Sequence, residues 1–166
     1  MSTATKSESV QILATNLIAL NASMVTAESC TGGGLASALT SIPGSSSWFE
    51  RGLVTYSNEA KQELLNVKHE TLQKHGAVSE ETAAEMVAGA VANSHAHYGV
   101  SITGIAGPDG GSDEKPVGTV CFGWQDANGR VTTTRLVFNG DREQVREQAC
   151  LLALRGLIDI TEVELQ

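Results

Sequence analysis

Apolar residues recur along this chain at helical spacing in some stretches and as short continuous runs in others, and the alternation predicts its secondary structure. Residues 8–20 carry apolar side chains at the three- and four-residue spacing of an amphipathic helix. Residues 24–27 predict a short buried strand, and residues 52–56 predict a second strand. After the first of these strands, a glycine-rich turn is expected to lead into a helix that ends near Leu39.

Helix-capping residues place three further helices in the middle of the chain. Asn58 is a suitable N-cap for a helix that runs through Leu65. Residues 71–75 predict a short helix that ends at Gly76. Ser79 is a suitable N-cap for the next helix, which is expected to end near Asn93.

The last third of the chain predicts strands followed by one long helix. A strand is expected at residues 98–103, and residues 118–125 and 131–138 predict a hairpin. Asp141 is expected to start the final helix. Helices that alternate with strands early, with a hairpin late, predict an α/β fold with a mixed sheet, formed as a single domain over residues 1–166.

Length and charge narrow the class of protein. The 166 residues, 41% of them hydrophobic, suit one domain with its own core. The net charge is −8 and the pI is near 4.9, whereas nucleic-acid binders usually present a basic surface. No apolar run reaches the roughly 18 residues of a membrane span, and residues 1–10 lack the apolar core of a secretory signal. We therefore expect a cytoplasmic protein that contacts neither nucleic acid nor membrane.

Residue types that bind metals do not occur at the spacing of a metal site. Cys30, Cys121 and Cys150 are an odd number at wide spacing, which fits neither a disulfide framework nor a zinc site. His95 and His97 could hold a metal together, but a solvated helix end is the preferred interpretation. We expect no metal and no cofactor.

The first candidate for chemistry is Ser29, at the junction where a strand is expected to turn into a helix. A serine there would point off the end of the sheet, beside backbone N–H groups that can hold an oxyanion or a phosphate. These N–H groups belong to Cys30, Thr31, Gly32 and Gly33. The segment is neither the nucleophile elbow of α/β-hydrolases nor a Walker P-loop, because the glycines and the lysine of those motifs are missing. On local sequence alone, helix capping by Ser29 is an equally good interpretation.

A second candidate is Lys61, in the first turn of the helix that Asn58 is expected to cap. The partial positive charge of a helix start disfavours an ammonium group, and partial burial would act in the same direction. A neutral lysine could take the proton of a serine hydroxyl, and Tyr56, about one turn away, could relay it. An exposed helix lysine and a tyrosine at the edge of the core are the favoured alternative when this segment is considered alone.

Two further segments could bind an anion. Residues 101–111 form a glycine-rich loop after a strand, and its N–H groups could surround an anion, although an ordinary long turn is as good an interpretation. Arg142 and Arg146 are four residues apart and share a helix face, so they could bind phosphate together. Pairing with neighbouring acidic residues is the more usual role of such arginines.

Taken together, these segments resemble the CinA C-terminal domain family, which includes nicotinamide-nucleotide amidases. Seven stretches match the family in order: residues 27–33, 44–52, 54–61, 76–79, 103–111, 115–120 and 140–142. The resemblance implies a three-layer α/β/α domain and hydrolysis of the carboxamide of nicotinamide mononucleotide to nicotinate mononucleotide and ammonia, in pyridine nucleotide salvage. It also implies the stand-alone form of the family and a homodimer.

The resemblance assigns roles to particular residues. It implies that Ser29 is the nucleophile, Lys61 the base and Tyr56 a catalytic partner. The residues expected to bind the substrate are Cys30, Thr31, Gly32, Gly33, Asn58, Thr103, Gly104, Ala106, Gly107 and Arg142. We expect the turn after Ser29 to hold the oxyanion, and Thr103, the glycine loop and Arg142 to bind the ribose phosphate.

Three alternatives stay open at this point. Cys30 is a rival nucleophile, although no histidine lies in any of the four segments to activate it. The chain could bind a pyridine nucleotide as a sensor without turning it over. It could also be an interaction protein in DNA uptake or repair, which its acidic charge disfavours.

Overall fold

A five-stranded mixed sheet forms the centre of the fold in the computed structural model, which describes residues 4–166. Its strands are β1 (Met24–Glu28), β2 (Phe49–Val54), β3 (Tyr98–Gly104), β4 (Thr119–Gln125) and β5 (Val131–Val137). They lie in the order β2-β1-β3-β4-β5. The β2, β1 and β3 strands are parallel, whereas β4 pairs antiparallel with both β3 and β5. The mixed sheet predicted from the order of elements is therefore confirmed.

Six α-helices cover the two faces of the sheet. They are α1 (Lys6–Ala19), α2 (Gly34–Leu39), α3 (Asn58–Leu65), α4 (His69–His75), α5 (Glu80–Ala92) and α6 (Arg142–Leu165). The α1, α2 and α6 helices share one hydrophobic core with the sheet, and α3, α4 and α5 share a second core on the other face. The predicted three-layer α/β/α arrangement is confirmed. A single turn of 3₁₀ helix, Ser45–Ser47, precedes β2.

Burial explains why the central strands are apolar and why the helices begin where they do. All residues of β1 are buried, and so are all but the last of β3, as expected of strands covered on both faces. The α1 and α6 helices both begin with a capping box, formed by Thr5 with Glu8 and by Asp141 with Gln144. The expected start of the final helix at Asp141 is thus confirmed, with Asp141 as its N-cap.

The predicted boundaries of β2 and α3 were wrong by a few residues. The strand begins at Phe49 and ends at Val54, before Tyr56. Ser57, rather than Asn58, is the N-cap of α3, because its hydroxyl accepts a hydrogen bond from Ala60 N at 3.0 Å. Lys61 is therefore the fourth residue of its helix and not the third, but it still lies in the first turn.

Gly89 brings α3 close to α5. A Cβ atom at this position would overlap the carbonyl oxygen of Leu65, the last residue of α3. Because Gly89 has no side chain, the backbones of α3 and α5 can pack directly against each other. This close contact fixes the position of the helix that carries Lys61.

The segment with His95 and His97 connects α5 to β3. His97 accepts a hydrogen bond from Ser23 N on its Nδ1 atom, at 3.0 Å, so it ties two connecting segments together. Within residues 4–166, no cluster of three or more histidine, cysteine or acidic side chains is arranged to hold a metal ion. No helix in the same range is long and apolar enough to cross a membrane. Residues 1–3, part of the polar start of the chain, lie outside the described range.

Candidate active site

A cavity of about 290 Å³ lies at the carboxyl ends of the three parallel strands. Ligand sites of open α/β sheets commonly occur at this edge. The cavity is lined by Ser29, Cys30, Tyr56, Asn58, Lys61, Ala77, Val78, Thr103, Gly104, Ile105, Ala106, Gly107, Asp109, Gly110 and Arg142. The structure therefore brings together residues from all four segments that the sequence singled out.

Ser29 begins the turn between β1 and α2. Its backbone N–H donates to Ile102 O on β3 at 2.9 Å, and its carbonyl accepts from Gly32 N at 3.0 Å. Gly32 and Gly33 have φ angles of +58° and +97°, in the left-handed region that favours glycine. These contacts hold the Ser29 side chain, which is 8% exposed, at the inner end of the cavity.

Lys61 reaches the Ser29 hydroxyl from the opposite side of the cavity. Its Nζ atom donates to Ser29 Oγ at 3.0 Å, to Thr55 O at 2.9 Å and to Tyr56 O at 3.4 Å. The side chain is only 1% exposed. No ion pair within residues 4–166 includes Lys61, so its amino group is surrounded by neutral oxygen atoms.

Burial lowers the pKa of Lys61 below its ordinary value. Desolvation is the main cause, because the ammonium form loses its hydration in the protein interior. The nearby Cys30 thiol opposes this effect only in part. The neutral amine, which can accept a proton, is thereby favoured at the inner end of the cavity.

Glu28 is a buried carboxylate next to the nucleophile candidate, and the sequence analysis gave it no role. Its Oε1 atom accepts from Thr31 Oγ1 at 2.6 Å and from Leu35 N at 2.9 Å, and Oε2 accepts from Ala36 N at 3.0 Å. Glu28 thus caps α2 from inside the protein. The sequence signal for this capping role was a glutamate just before a glycine-rich turn. Residues that cap a helix usually lie closer to its start, so the signal was not recognised.

This cap corrects the expectation that the start of α2 holds an anion. The first free N–H groups of the helix are occupied by Glu28, and Gly32 N and Gly34 N donate to the carbonyls of Ser29 and Thr31. Thr31, Gly32 and Gly33 do not line the cavity. In the described chain, the backbone N–H groups of Cys30, Thr31 and Gly33 donate to no other residue, and of these three residues only Cys30 lines the cavity. The N–H group of Cys30 is therefore the remaining candidate for an oxyanion site.

Cys30 is a poor nucleophile in this environment. Its side chain is buried, and burial raises the pKa of the thiol to about 11, against smaller opposing effects that include the charge of Arg146. A thiol with so high a pKa holds very little thiolate near neutral pH. The rival assignment of Cys30 as nucleophile is therefore disfavoured.

Tyr56 and Arg142 lie at the mouth of the cavity. Tyr56 is 62% exposed, and its hydroxyl accepts from Arg142 Nη2 at 3.3 Å. Arg142 Nη1 also donates to Gly107 O at 2.8 Å. Lys61 contacts Tyr56 through the carbonyl oxygen, and within the described chain the phenol contacts neither Lys61 nor Ser29. The expected proton relay through the Tyr56 hydroxyl is not formed in this geometry.

Thr103 and the loop after β3 form the opposite wall. The Thr103 hydroxyl donates to Ala77 O at 2.8 Å, which leaves its lone pairs available to accept a hydrogen bond. Gly104, Ala106 and Gly107 line the cavity as expected, and so does Asn58. Ala77 and Val78 were not predicted as lining residues, because nothing in a short segment between two helices shows that it reaches the end of β3.

Arg146 lies one helical turn beyond Arg142 but does not line the cavity. Its Nε atom donates to Cys30 O and its Nη2 atom donates to Thr31 O, each at 3.2 Å. The expectation that the two arginines act together on one anion is therefore wrong. Arg142 faces the cavity, whereas Arg146 binds the turn that follows Ser29.

Comparison with known proteins adds independent findings. The family model of the CinA C-terminal domain matches residues 6–161. The chain is 57% identical over 141 residues to the nicotinamide-nucleotide amidohydrolase PncC of Escherichia coli strain K12, with 85% of this chain and 86% of that protein covered. It is 51% identical over 148 residues to the protein of the same name from Pseudomonas putida, covering 89% and 92%.

Solved structures agree with this match. The crystal structure of the competence/damage inducible protein CihA from Agrobacterium tumefaciens superposes with a TM-score of 0.92 at 43% identity, covering 96% of this chain and 99% of that one. A CinA superfamily protein from Klebsiella pneumoniae 700603 also gives a TM-score of 0.92, at 40% identity and with the same coverage.

Proposed function

The chain belongs to the CinA C-terminal domain family, and from this premise we propose that it is a nicotinamide-nucleotide amidohydrolase. The proposed reaction converts nicotinamide mononucleotide and water to nicotinate mononucleotide and ammonia. Two relatives more than half identical to this chain carry the name of that activity. The reaction would serve pyridine nucleotide salvage.

The observation that carries the proposal is the contact between Lys61 Nζ and Ser29 Oγ at 3.0 Å. A neutral lysine amine has two N–H bonds and one lone pair. The carbonyls of Thr55 and Tyr56 can take the two N–H bonds, which directs the lone pair toward the Ser29 hydroxyl. The geometry therefore supports Lys61 as the direct base for Ser29, without the phenol of Tyr56.

The reaction would proceed through an acyl-enzyme. Lys61 takes the proton of Ser29 as Oγ attacks the carboxamide carbon, and the carbonyl oxygen becomes an oxyanion held by the N–H group of Cys30. The tetrahedral intermediate collapses, the C–N bond breaks and Lys61 returns its proton to the leaving ammonia. A water molecule, deprotonated by Lys61, then hydrolyses the Ser29 ester and releases nicotinate mononucleotide.

The groups at the two ends of the cavity suggest how the bound nucleotide is oriented. The carboxamide must reach Ser29 at the inner end, so the ribose phosphate would extend toward the mouth. Arg142 at the mouth is a charged donor suited to a phosphate, and the loop of Gly104, Ala106 and Gly107 can approach the ribose closely. Thr103 would accept a hydrogen bond from the carboxamide or a ribose hydroxyl.

Ammonia release from nicotinamide mononucleotide by the purified protein, with excess chelator present, tests the proposal. We expect stoichiometric ammonia and nicotinate mononucleotide, unaffected by the chelator, because no step uses a metal. Binding by calorimetry without turnover would instead support the sensor function. A protein that neither binds nor hydrolyses the nucleotide would contradict both functions.

The assembly and the location of the protein remain predictions. The family resemblance implies a homodimer, which light scattering of the purified protein would test. Salt-dependent titration with DNA would test the alternative of an interaction protein in DNA uptake, for which we expect no binding.

A further inference from the structure

Arg146 makes an unusual set of contacts directly behind the nucleophile candidate. Arginines near a helix start commonly pair with acidic residues, but no ion pair within residues 4–166 includes Arg146. Its guanidinium group instead binds two successive backbone carbonyls, Cys30 O and Thr31 O, each at 3.2 Å. The side chain is partly buried against this turn, and a Cβ atom on Gly32 would lie 3.4 Å from its Nη2 atom.

The two carbonyls set the direction of the N–H groups in the same peptide units. The carbonyl of Cys30 and the N–H of Thr31 share one trans peptide unit, so they point in opposite directions. Binding of Cys30 O by Arg146 therefore turns Thr31 N–H away from α6. Likewise, binding of Thr31 O turns Gly32 N–H away, and that group closes the turn onto Ser29 O at 3.0 Å.

A cation on a carbonyl oxygen also strengthens the donor at the other end of the peptide unit. Charge-assisted hydrogen bonds are stronger than neutral ones, and hydrogen bonds in a chain polarise one another. Cys30 lines the cavity, and its N–H, which shares a peptide unit with Ser29 O, has no acceptor in the described chain, so it is available to a ligand. The N–H of Gly32 links this peptide unit to the next one, whose carbonyl, Thr31 O, binds Arg146. The positive charge of Arg146 also favours negative charge at the turn, which agrees with its effect of lowering the pKa of the Cys30 thiol against the larger effect of burial.

We propose that Arg146 is a positioning residue that orients and polarises the backbone donor of the oxyanion site beside Ser29, the N–H of Cys30. This inference rests on the proposed amidohydrolase function. Arg146 touches neither the substrate nor the reacting atoms, and it acts on the transition state because the oxyanion forms only there. It differs in this from Arg142, which faces the cavity and is assigned to the bound nucleotide.

The proposal predicts a specific kinetic defect in Arg146→Ala. We expect kcat for nicotinamide mononucleotide to fall by about 10–100-fold, less than the loss on removal of a whole oxyanion donor. KM and the affinity for nicotinate mononucleotide should stay close to the wild-type values. Arg146→Lys, which can reach only one of the two carbonyls at a time, should lose less, and added guanidinium should partly restore kcat in Arg146→Ala.

The matched control is Arg155→Ala, since Arg155 is an exposed arginine on the same helix and makes no side-chain hydrogen bond within the described residues. We expect wild-type kinetics from this variant. A raised KM with unchanged kcat in Arg146→Ala would overturn the proposal, as would wild-type kcat. If Arg146→Ala does not fold, Arg146→Lys provides the test. A wild-type kcat in Arg146→Lys at low and high pH would overturn the proposal. A reduced kcat at constant KM would support it.

A second readout separates this proposal from the proposed function. The rate at which a fluorophosphonate labels Ser29, followed by intact mass, depends on the oxyanion donors but not on nucleotide turnover. We expect slower labelling in Arg146→Ala than in wild type and Arg155→Ala, by about the same factor as kcat. Equal labelling rates would overturn the role of Arg146 even if wild type hydrolyses the nucleotide. Slower labelling would support that role even if wild type hydrolyses nothing.

Discussion

The inner end of the cavity and its mouth hold their polar groups in different ways. At the inner end, Ser29 and Lys61 are almost fully buried and every contact of the Lys61 amine is with a protein oxygen atom. At the mouth, Tyr56 is 62% exposed and shares Arg142 with the carbonyl of Gly107. Pre-organised, desolvated groups suit bond making and breaking, whereas solvated groups suit binding.

This difference predicts that variants at the two ends affect different kinetic constants. Changes at the inner end should lower kcat, because they remove groups that act in the transition state. Changes at the mouth should mainly raise KM, because they remove contacts made equally in the bound substrate and the transition state.

Replacement of Lys61 should cause the largest loss after loss of the nucleophile. We expect kcat to fall on the order of 10²–10⁴-fold in Lys61→Met, the usual contribution of a general base. Lys74→Met, at an exposed lysine, is the matched control and should match wild type. Combined with Ser29→Ala, Lys61→Met should add no further loss, because the two residues act as a unit. Additive losses in the double variant would contradict a shared proton-transfer step.

The pH dependence of kcat/KM should report the ionisation of Lys61. Only the neutral amine accepts a proton, so kcat/KM should rise with pH through the pKa of Lys61 and then level off. Burial lowers that pKa, so the midpoint should lie below the ordinary lysine value of 10.5. The rising limb should be lost in Lys61→Met, measured on its residual activity. A limb that persists in this variant would assign the ionisation to another group.

Replacement of Arg142 should mark the mouth as a binding region. A charge-assisted hydrogen bond contributes about 1.5–3 kcal/mol, so loss of one phosphate contact should raise KM about 10–100-fold in Arg142→Met. We expect kcat to change much less. Nicotinamide riboside, which lacks the phosphate, should show no such difference between the variant and wild type. A kcat loss as large as that of Lys61→Met would erase the distinction between the two ends.

Replacement of Tyr56 should have the smallest effect of these changes. The Tyr56 hydroxyl contacts Arg142 at 3.3 Å, so Tyr56→Phe should raise KM by a small factor and leave kcat almost unchanged. The carbonyl that accepts from Lys61 is retained in this variant. A large fall in kcat, with its pH profile shifted, would restore the proton relay that the position of Tyr56 in the sequence suggested for this phenol.

The sequence identified the inner end better than the supports around it. Ser29 lies in the turn that leads from a strand to a helix, and Lys61 lies in the first turn of a helix, so local rules of turns and helix termini apply to both, and both reach the cavity. Glu28 was missed, and the expected phosphate contact of Arg146 was wrong, because the roles of both residues depend on contacts with other segments. Arg142 and Arg146 have nearly the same local sequence context, so the sequence could not distinguish their roles. The packing of α6 on the turn after Ser29 gives them different partners.

The same reasoning explains the errors in the fold. The order of strands and helices follows from hydrophobic patterning, so the mixed sheet could be predicted. The end of β2 could not, because Thr55 and Tyr56 are β-branched and aromatic residues that favour a strand, yet the strand ends at Val54. Whether Ser57 or Asn58 caps α3 depends on one hydroxyl contact between two residues with similar capping preference.

The most direct test of the account is ammonia release from nicotinamide mononucleotide by Ser29→Ala and Cys30→Ala, beside wild type and the exposed-serine control Ser37→Ala. We predict that Ser29→Ala releases ammonia at no more than the residual rate of Lys61→Met, that Cys30→Ala keeps most of the wild-type rate and that Ser37→Ala equals wild type. Wild-type turnover by Ser29→Ala, or its loss in a folded Cys30→Ala, would contradict the assignment of Ser29 as the nucleophile.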